Sequence, residues 1–267
     1  MAASPGRRQT WLTRLTRRSH KQPIGQDVTD ERDQKPPSVE FPRRRLLYGR
    51  RKGHTLRAHH DNLMEVLLPQ IQVPENGPLD DPKTLFDDAA KEVWLEIGFG
   101  GGEHLAAQAV AHPMVGLIGC EPFVNGVAKL LSEVEERGLS NVRIHPNDAR
   151  DVLERLGDAS IARAFLLFPD PWHKKRHHKR RFVSAETLDE LARVMVDGGE
   201  FRVATDIKHY CRWTLREIRD HGLFTWTAEK PSDWRVRGTD WPGTRYEAKA
   251  IREGRQPVYL KFRRKPR

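Results

Sequence analysis

The chain has 267 residues, 37% hydrophobic and 31% charged, with a net charge of +10. That is enough for one well-cored domain with appendages, and no apolar run approaches the ~18 residues that a membrane span needs. Two cysteines far apart, Cys120 and Cys211, exclude a disulfide framework and read as free thiols in a reducing cytosol.

The charge is unevenly placed. Residues 1–60 hold 15 Lys/Arg against 5 Asp/Glu, while the remaining 32 of each sign cancel. The arm over 1–40 is polar, lacks periodicity and is expected to be disordered. It reads equally as a grip on a polyanion or as a solubilising tail. Its acid-free, Arg- and Ser-containing start also mimics a transit peptide. Over 41–91 an Arg-rich stretch, Phe41 to Gly53, leads to a short helix within His54 to Leu68. Pro69, Pro74, Pro78 and Pro82 then mark a connector.

From residue 92 to the end, strands alternate with helices. Val93 to Ile97 is strand-like and runs into glycines. Glu103 to Ala111 suits a helix, Val115 to Cys120 a second strand, and Phe123 to Arg137 an amphipathic helix stopped by Gly138. Val142 to His145 follows as a third strand, with a short helix near Val152 to Leu156, then Ala164 to Phe168 as a fourth. Ser184 caps a helix to Val196, Gly198-Gly199 turns the chain into strand Phe201 to Ala204, a helix covers Ile207 to Ile218, and Val258 to Phe262 is the last strand. The pattern predicts an α/β fold: a doubly wound, mostly parallel sheet with right-handed crossovers.

Such sheets bind ligands at the carboxyl ends of their strands, where the strand order reverses. The first strand ends in Glu96-Ile97-Gly98-Phe99-Gly100-Gly101-Gly102. Position 103, where a dinucleotide fingerprint wants glycine, is Glu103, and a carboxylate there opposes a pyrophosphate. Glu96 instead suits a ligand with positive charge, such as a sulfonium with an amino group. Glu121, 23 residues after Gly98, stands where an acid accepts hydrogen bonds from ribose hydroxyls, and Asp148 is placed to take an adenine amino group. Either of these two acids alone is more often a helix cap; with Glu96 they outline an adenosine pocket without phosphates.

The fourth strand ends in Phe168-Pro169-Asp170-Pro171-Trp172. Prolines on either side fix the direction of the carboxylate, and Trp172 offers a face for a base. Then Lys174, Lys175, Arg176, Lys179, Arg180 and Arg181, with His173, His177 and His178 among them, form a run without acids. Cations this dense repel a metal, so no metal site is expected; a phosphate backbone is the natural counter-charge. Asp206 after the fifth strand, and Glu247 in Thr244-Arg245-Tyr246-Glu247, are candidate acceptors for the edge of a guanine, though either also serves as a helix cap.

Taken together, these residues resemble the bacterial tRNA (guanine-N7-)-methyltransferase family from about Val93 to Phe262, most specifically in Phe168 to Arg181. The resemblance implies a Rossmann-like class I methyltransferase fold and S-adenosyl-L-methionine as cofactor. It implies that Glu96, Gly98, Gly100, Glu121, Asp148 and Asp170 contact that cofactor, and that Asp170 is catalytic. Lys174, Asp206, Thr244, Arg245, Tyr246 and Glu247 are implied substrate contacts, and Arg176, His177, His178, Lys179, Arg180 and Arg181 an RNA-facing segment. The implied substrate is a guanine in the variable loop of tRNA. A cytoplasmic protein is expected, monomeric, with a dimer left open. Three rival readings remain: a related methyltransferase acting on an exocyclic amine, a non-catalytic RNA-binding protein with this fold, and a dehydrogenase, which Glu103 and the phosphate-poor pocket weaken.

Overall fold

Seven strands make one sheet in the order β3-β2-β1-β4-β5-β7-β6 in the computed structural model, which describes residues 47–86 and 90–267. The expectations for the arm over 1–40, and for the Arg-rich stretch as far as Leu46, lie outside the described residues. Two short helices, α1 (Ala58–Val66) and α2 (Leu68–Ile71), precede the sheet. The single helix expected over His54 to Leu68 starts later and divides at Leu67, because Pro69 fits only the first turn of a new helix. There follow β1 (Glu92–Ile97), α3 (Glu103–Ala111), β2 (Val115–Cys120), α4 (Val124–Arg137), β3 (Val142–His145), α5 (Ala149–Leu153) and β4 (Ile161–Leu167). After a 3-10 turn at Lys175–Arg180 come α6 (Ala185–Val194), β5 (Met195–Thr205), α7 (Lys208–His221), β6 (Phe224–Trp226), α8 (Ser232–Arg235), α9 (Arg245–Arg252) and β7 (Val258–Arg264).

Strands β1 to β5 are parallel; β7 runs antiparallel to both β5 and β6. Central strands covered on both faces must be apolar on both, and every residue of β2 is buried. One core layer contains Leu95, Ile118 and Leu166; the opposite layer contains Trp94, Leu117 and Phe165. Ser184 caps α6 through a reciprocal box with Thr187, and Gly138 ends α4 at a positive φ of 62°.

Three features depart from the sequence expectation. Strand β5 begins at Met195 and passes through Gly198-Gly199 rather than starting after them; the extra residues are absorbed by a register shift against β4 between Ile161 and Arg163. Helix α9, for which no element is expected from the sequence, is started by the Thr244 hydroxyl accepting from Glu247 N at 3.1 Å. The three-residue β6 was not foreseen. From β1 the chain winds outward through β2 and β3, then returns to β4 on the other side of β1. The reversal point therefore lies between the carboxyl ends of β1 and β4.

Candidate active site

A cavity of about 430 Å³ opens at that reversal point. The turn after β1 forms its floor: Gly98, Gly100 and Gly102 have φ of 70°, 61° and 83°, values that glycine alone adopts without strain. Glu121, at the end of β2, fastens this turn. Its Oε2 accepts from Gly100 N at 2.7 Å and its Oε1 from Phe123 N at 2.9 Å. Burial raises the pKa of Glu121 in spite of these two donors. At the end of β3, Asp148 lines the cavity and caps α5, and it is held by Arg150, whose Nη2 lies 2.5 Å from Oδ2. The neighbouring Asn147 Oδ1 is buried without a hydrogen-bond partner among the described residues, on the same cavity wall.

Asp170 stands across the cavity. Phe168 and Trp172, on either side of Pro169-Asp170-Pro171, both adopt left-handed backbone, with φ of 50° and 43°. Non-glycine residues persist there only when their surroundings over-determine them, and such strain gathers at functional positions. Phe168 N donates to Ala204 O at 2.8 Å, holding one side of the turn on β5. The Asp170 carboxylate remains open to solvent, yet the protein crowded around it raises its pKa by desolvation.

Not every expected site residue faces this cavity. Glu96, 3% exposed, points into the scaffold instead, where its Oε2 lies 2.8 Å from His104 Nδ1 on α3. The sequence places an acid at the strand end but does not reveal that the next helix buries a histidine against it. Asp206 is held by Arg255, with Nε 2.5 Å from Oδ2. Glu247 is buried, accepting from the Tyr259 hydroxyl and pairing with Arg237 Nε at 3.0 Å. Arg245 pairs with Glu103 over Gly101, and Tyr246 reaches the cavity across Gly100, where a Cβ would stand 2.8 Å from its ring. Lys174 is exposed beside the 3-10 turn, off the cavity wall.

The basic run divides in two. Lys174, Lys175, Arg176 and Lys179 are exposed. Arg181 is only 3% exposed and does not present itself to a phosphate, which corrects the expectation for that residue. Its Nε donates to Pro171 O at 2.9 Å, its Nη2 lies 2.9 Å from His209 Nδ1, and its guanidinium stacks 4.7 Å from the Trp213 ring. His178 packs edge-on to Trp213. Arg180 lies over the rings of Tyr48 at 4.1 Å and Trp172 at 5.0 Å. His177 packs against Trp172, and desolvation followed by Arg180 and Arg176 lowers its pKa.

One contributor was missed. The segment from Leu47 to His54 crosses the rim, with Tyr48 6.2 Å from Trp172. It is tied to α4 by Gly53 N donating to Asn125 Oδ1 at 2.7 Å and Asn125 Nδ2 donating to His54 O at 2.8 Å. In sequence Tyr48 is one aromatic within an Arg-rich stretch, and no pattern links it to a strand end some 120 residues later in the chain.

A sequence family described as putative methyltransferase matches residues 90–260. A tRNA (guanine-N(7)-)-methyltransferase of Rhodospirillum rubrum is 53% identical over 225 residues, covering 83% of this chain and 88% of its own. A protein of the same name from Brucella anthropi is 52% identical over 220 residues, covering 82% and 94%. Among solved structures, the 16S rRNA methyltransferase KamB is similar at 19% identity and a TM-score of 0.48, covering 68% of this chain and 95% of that one. Identity of this extent over more than four fifths of the chain places it in the tRNA (guanine-N7-)-methyltransferase family.

Proposed function

We infer that the protein transfers the methyl group of S-adenosyl-L-methionine to N7 of a guanine in tRNA, and that this guanine lies in the variable loop. One observation carries the assignment of the site: Asp170 shares one cavity with the glycine turn, at Gly98 and Gly100, and with Arg180 of the cation-rich segment. The donor chemistry supports the cofactor. Adenosine and an amino acid moiety present N–H and O–H donors and positive charge, while the wall offers Glu121, Asp148, Asp170 and the unpartnered Asn147 Oδ1. When bound, S-adenosyl-L-methionine supplies an electrophilic methyl on a sulfonium.

Guanine N7 carries an in-plane lone pair and no proton, so the protein requires no base to remove one. Its own task is to orient the purine, exclude water and tolerate the positive charge that the ring acquires. Asp170 is assigned both of the charged tasks: it fixes the direction of approach and offsets that charge. Gly98, Gly100, Glu121 and Asp148 are assigned to the cofactor. Glu96 supports them through His104 rather than by contact. Tyr246 is the member of the Thr244–Glu247 stretch placed to touch a bound molecule; Thr244, Arg245 and Glu247 hold it there. Trp172 is assigned to the base, which requires Arg180 to leave its face. The transferase domain spans 92–267, with the segment Leu47 to His54 bracing its rim. The protein works in the cytoplasm as a monomer, consistent with free thiols at Cys120 and Cys211.

The test is labelled methyl transfer to undermodified tRNA, followed by nucleoside analysis and mapping of the modified position. 7-Methylguanosine in the variable loop is expected. A methylated exocyclic amine, or no transfer at all, rejects the reading.

A further inference from the structure

Helix α7 buries Tyr210, Thr214 and Ile218. Its opposite face carries Lys208, Arg212, Arg216 and Arg219, recurring at helical spacing. The two halves of this stripe differ. Arg216 pairs with Glu217 at 2.9 Å and Arg219 with Asp220 at 2.8 Å, so the distal half is close to neutral. Lys208 and Arg212, at the end nearest the carboxyl end of β5, have no carboxylate within ion-pair distance among the described residues.

This uncompensated end is joined to the basic segment after β4. Arg181 holds the carbonyl of Pro171 with one nitrogen and contacts His209 Nδ1 with another, while its plane lies on Trp213. His178 and His209 pack with ring centres 5.2 Å apart. Desolvation, then Arg181, His178 and Arg212, hold His209 below its ordinary pKa, as expected of a group crowded by cations. The buried arginine thus acts as mortar between two rows of exposed cations, Lys174 to Lys179 on one side and Lys208 with Arg212 on the other.

We propose that the outer face of the first half of α7, centred on Lys208 and Arg212, is a second phosphate-binding surface for the RNA substrate, continuous with the exposed cations of the 3-10 turn. The proposal rests on the functional reading above. It implies that the tRNA backbone turns from the mouth of the cavity along α7, and that Arg181 sets the angle between the two contacts. A folded RNA fits such a surface because phosphates follow one another along a bent backbone, and each one neutralised releases counterions.

The experiment measures tRNA binding by the full-length protein across a range of salt, with methyl transfer measured in parallel. The Lys208→Gln/Arg212→Gln variant is compared with Lys83→Gln/Lys91→Gln, which removes the same charge at the opposite, amino-terminal edge of the strands. With about 0.9 of log-log salt slope per phosphate contact, the α7 pair is expected to flatten the slope by about 1 to 2 and the control pair to leave it near that of the unaltered protein. Equal slopes for the two variants overturn the proposal even if the unaltered protein methylates tRNA. An unaltered protein that leaves tRNA unmethylated overturns the functional reading itself.

Discussion

Replacing Gly126 by alanine ought to harm this protein, although alanine is the better helix former by about 1 kcal/mol. Gly126 lies in the first turn of α4, and a Cβ there would stand 2.1 Å from the carbonyl oxygen of Gly100 and 3.3 Å from Glu121 Cγ. An ordinary carbon–oxygen contact needs about 3.3 Å, so either the helix or the glycine turn must retreat by about 1 Å. The obstacle is backbone, which cannot rotate away, so the overpacking cost belongs near the upper end of the usual range, about 3 kcal/mol. Net of the gain in helix propensity, about 2 kcal/mol is lost, equivalent to a fall of about 4–8 °C in Tm for a domain of this size. If the turn yields, the hydrogen bond from Gly100 N to Glu121 Oε2 at 2.7 Å goes with it. A bond to a charged acceptor is worth about 1.5–3 kcal/mol, so S-adenosylmethionine affinity should drop about tenfold to a hundredfold. Thermal denaturation and titration calorimetry of G126A read both quantities. A variant with an equal or higher Tm and cofactor affinity within twofold would refute the claim that α4 touches the glycine turn.

Asp170→Asn should lower methyl transfer by at least about a hundredfold without lowering Tm. Because the folded pKa of Asp170 lies above its ordinary value, the carboxylate favours folding least once ionised: its contribution is lost as pH rises through that window, and removing the charge leaves the empty protein no less stable. The same shift predicts that transfer by the unaltered protein rises with pH through a value above that of an ordinary aspartate. A profile flat across that region, or a large loss of Tm in the variant, counts against this assignment. Arg181→Met should cost about 2 kcal/mol, the lost hydrogen bonds to Pro171 O and His209 being partly offset by relief of a desolvated cation. Arg181→Lys should not restore Tm, since an ammonium lacks the planar fork and the stacking on Trp213; full rescue by lysine would contradict the geometry. Tyr259→Phe removes the hydroxyl donated to Glu247 and should raise KM for tRNA several-fold with cofactor affinity unchanged; calorimetry showing weaker cofactor binding instead would place Glu247 in the wrong half of the site.

The sheet was legible because its signal is periodic and local. Apolar runs such as Val115 to Cys120, ended by glycine, proline or a capping serine, locate every parallel strand, β1 to β3 nearly to the residue and β4 and β5 by their carboxyl-terminal halves. What stayed hidden depends on partners distant in the chain. The three residues of β6 are too few to show a period and exist because β7 offers an edge at Trp226 and Phe262. Helix α9 holds only eight residues, and its buried positions, Glu247 and Ala250, carry no apolar stripe. Nothing in the sequence distinguishes Gly126 from an ordinary helix glycine, since only the fold reveals a carbonyl where its side chain would be. For Arg181 the reason is directional: six cations in one run look alike in sequence, and the rings of Tyr210 and Trp213, about 30 residues later, decide which of them turns inward.

The same limit applies to the acids, and their partners separate those already paired from those left to meet an incoming positive charge. Glu96, Asp148, Asp206 and Glu247 all sit at strand ends or helix starts where a ligand contact is plausible. Each has a basic side chain or a histidine within hydrogen-bonding distance: His104, Arg150, Arg255 and Arg237 respectively. Glu121 and Asp170 have none among the described residues, and in both burial raises the pKa. A carboxylate already balanced by a cation gains little from a second one, whereas an unbalanced carboxylate in a desolvated wall is stabilised by any positive charge that arrives. The protein therefore keeps its electrostatic deficit at the two acids that face each other across the cavity. It holds that arrangement in place from outside, with Gly100 and Phe123 N–H groups on Glu121 and with the buried Arg181 gripping the turn that carries Asp170. Methyl transfer creates no new charge but moves it from the sulfonium to the purine ring, so acids left without a cation meet the positive charge on the bound cofactor and keep meeting it as that charge passes to the methylated N7.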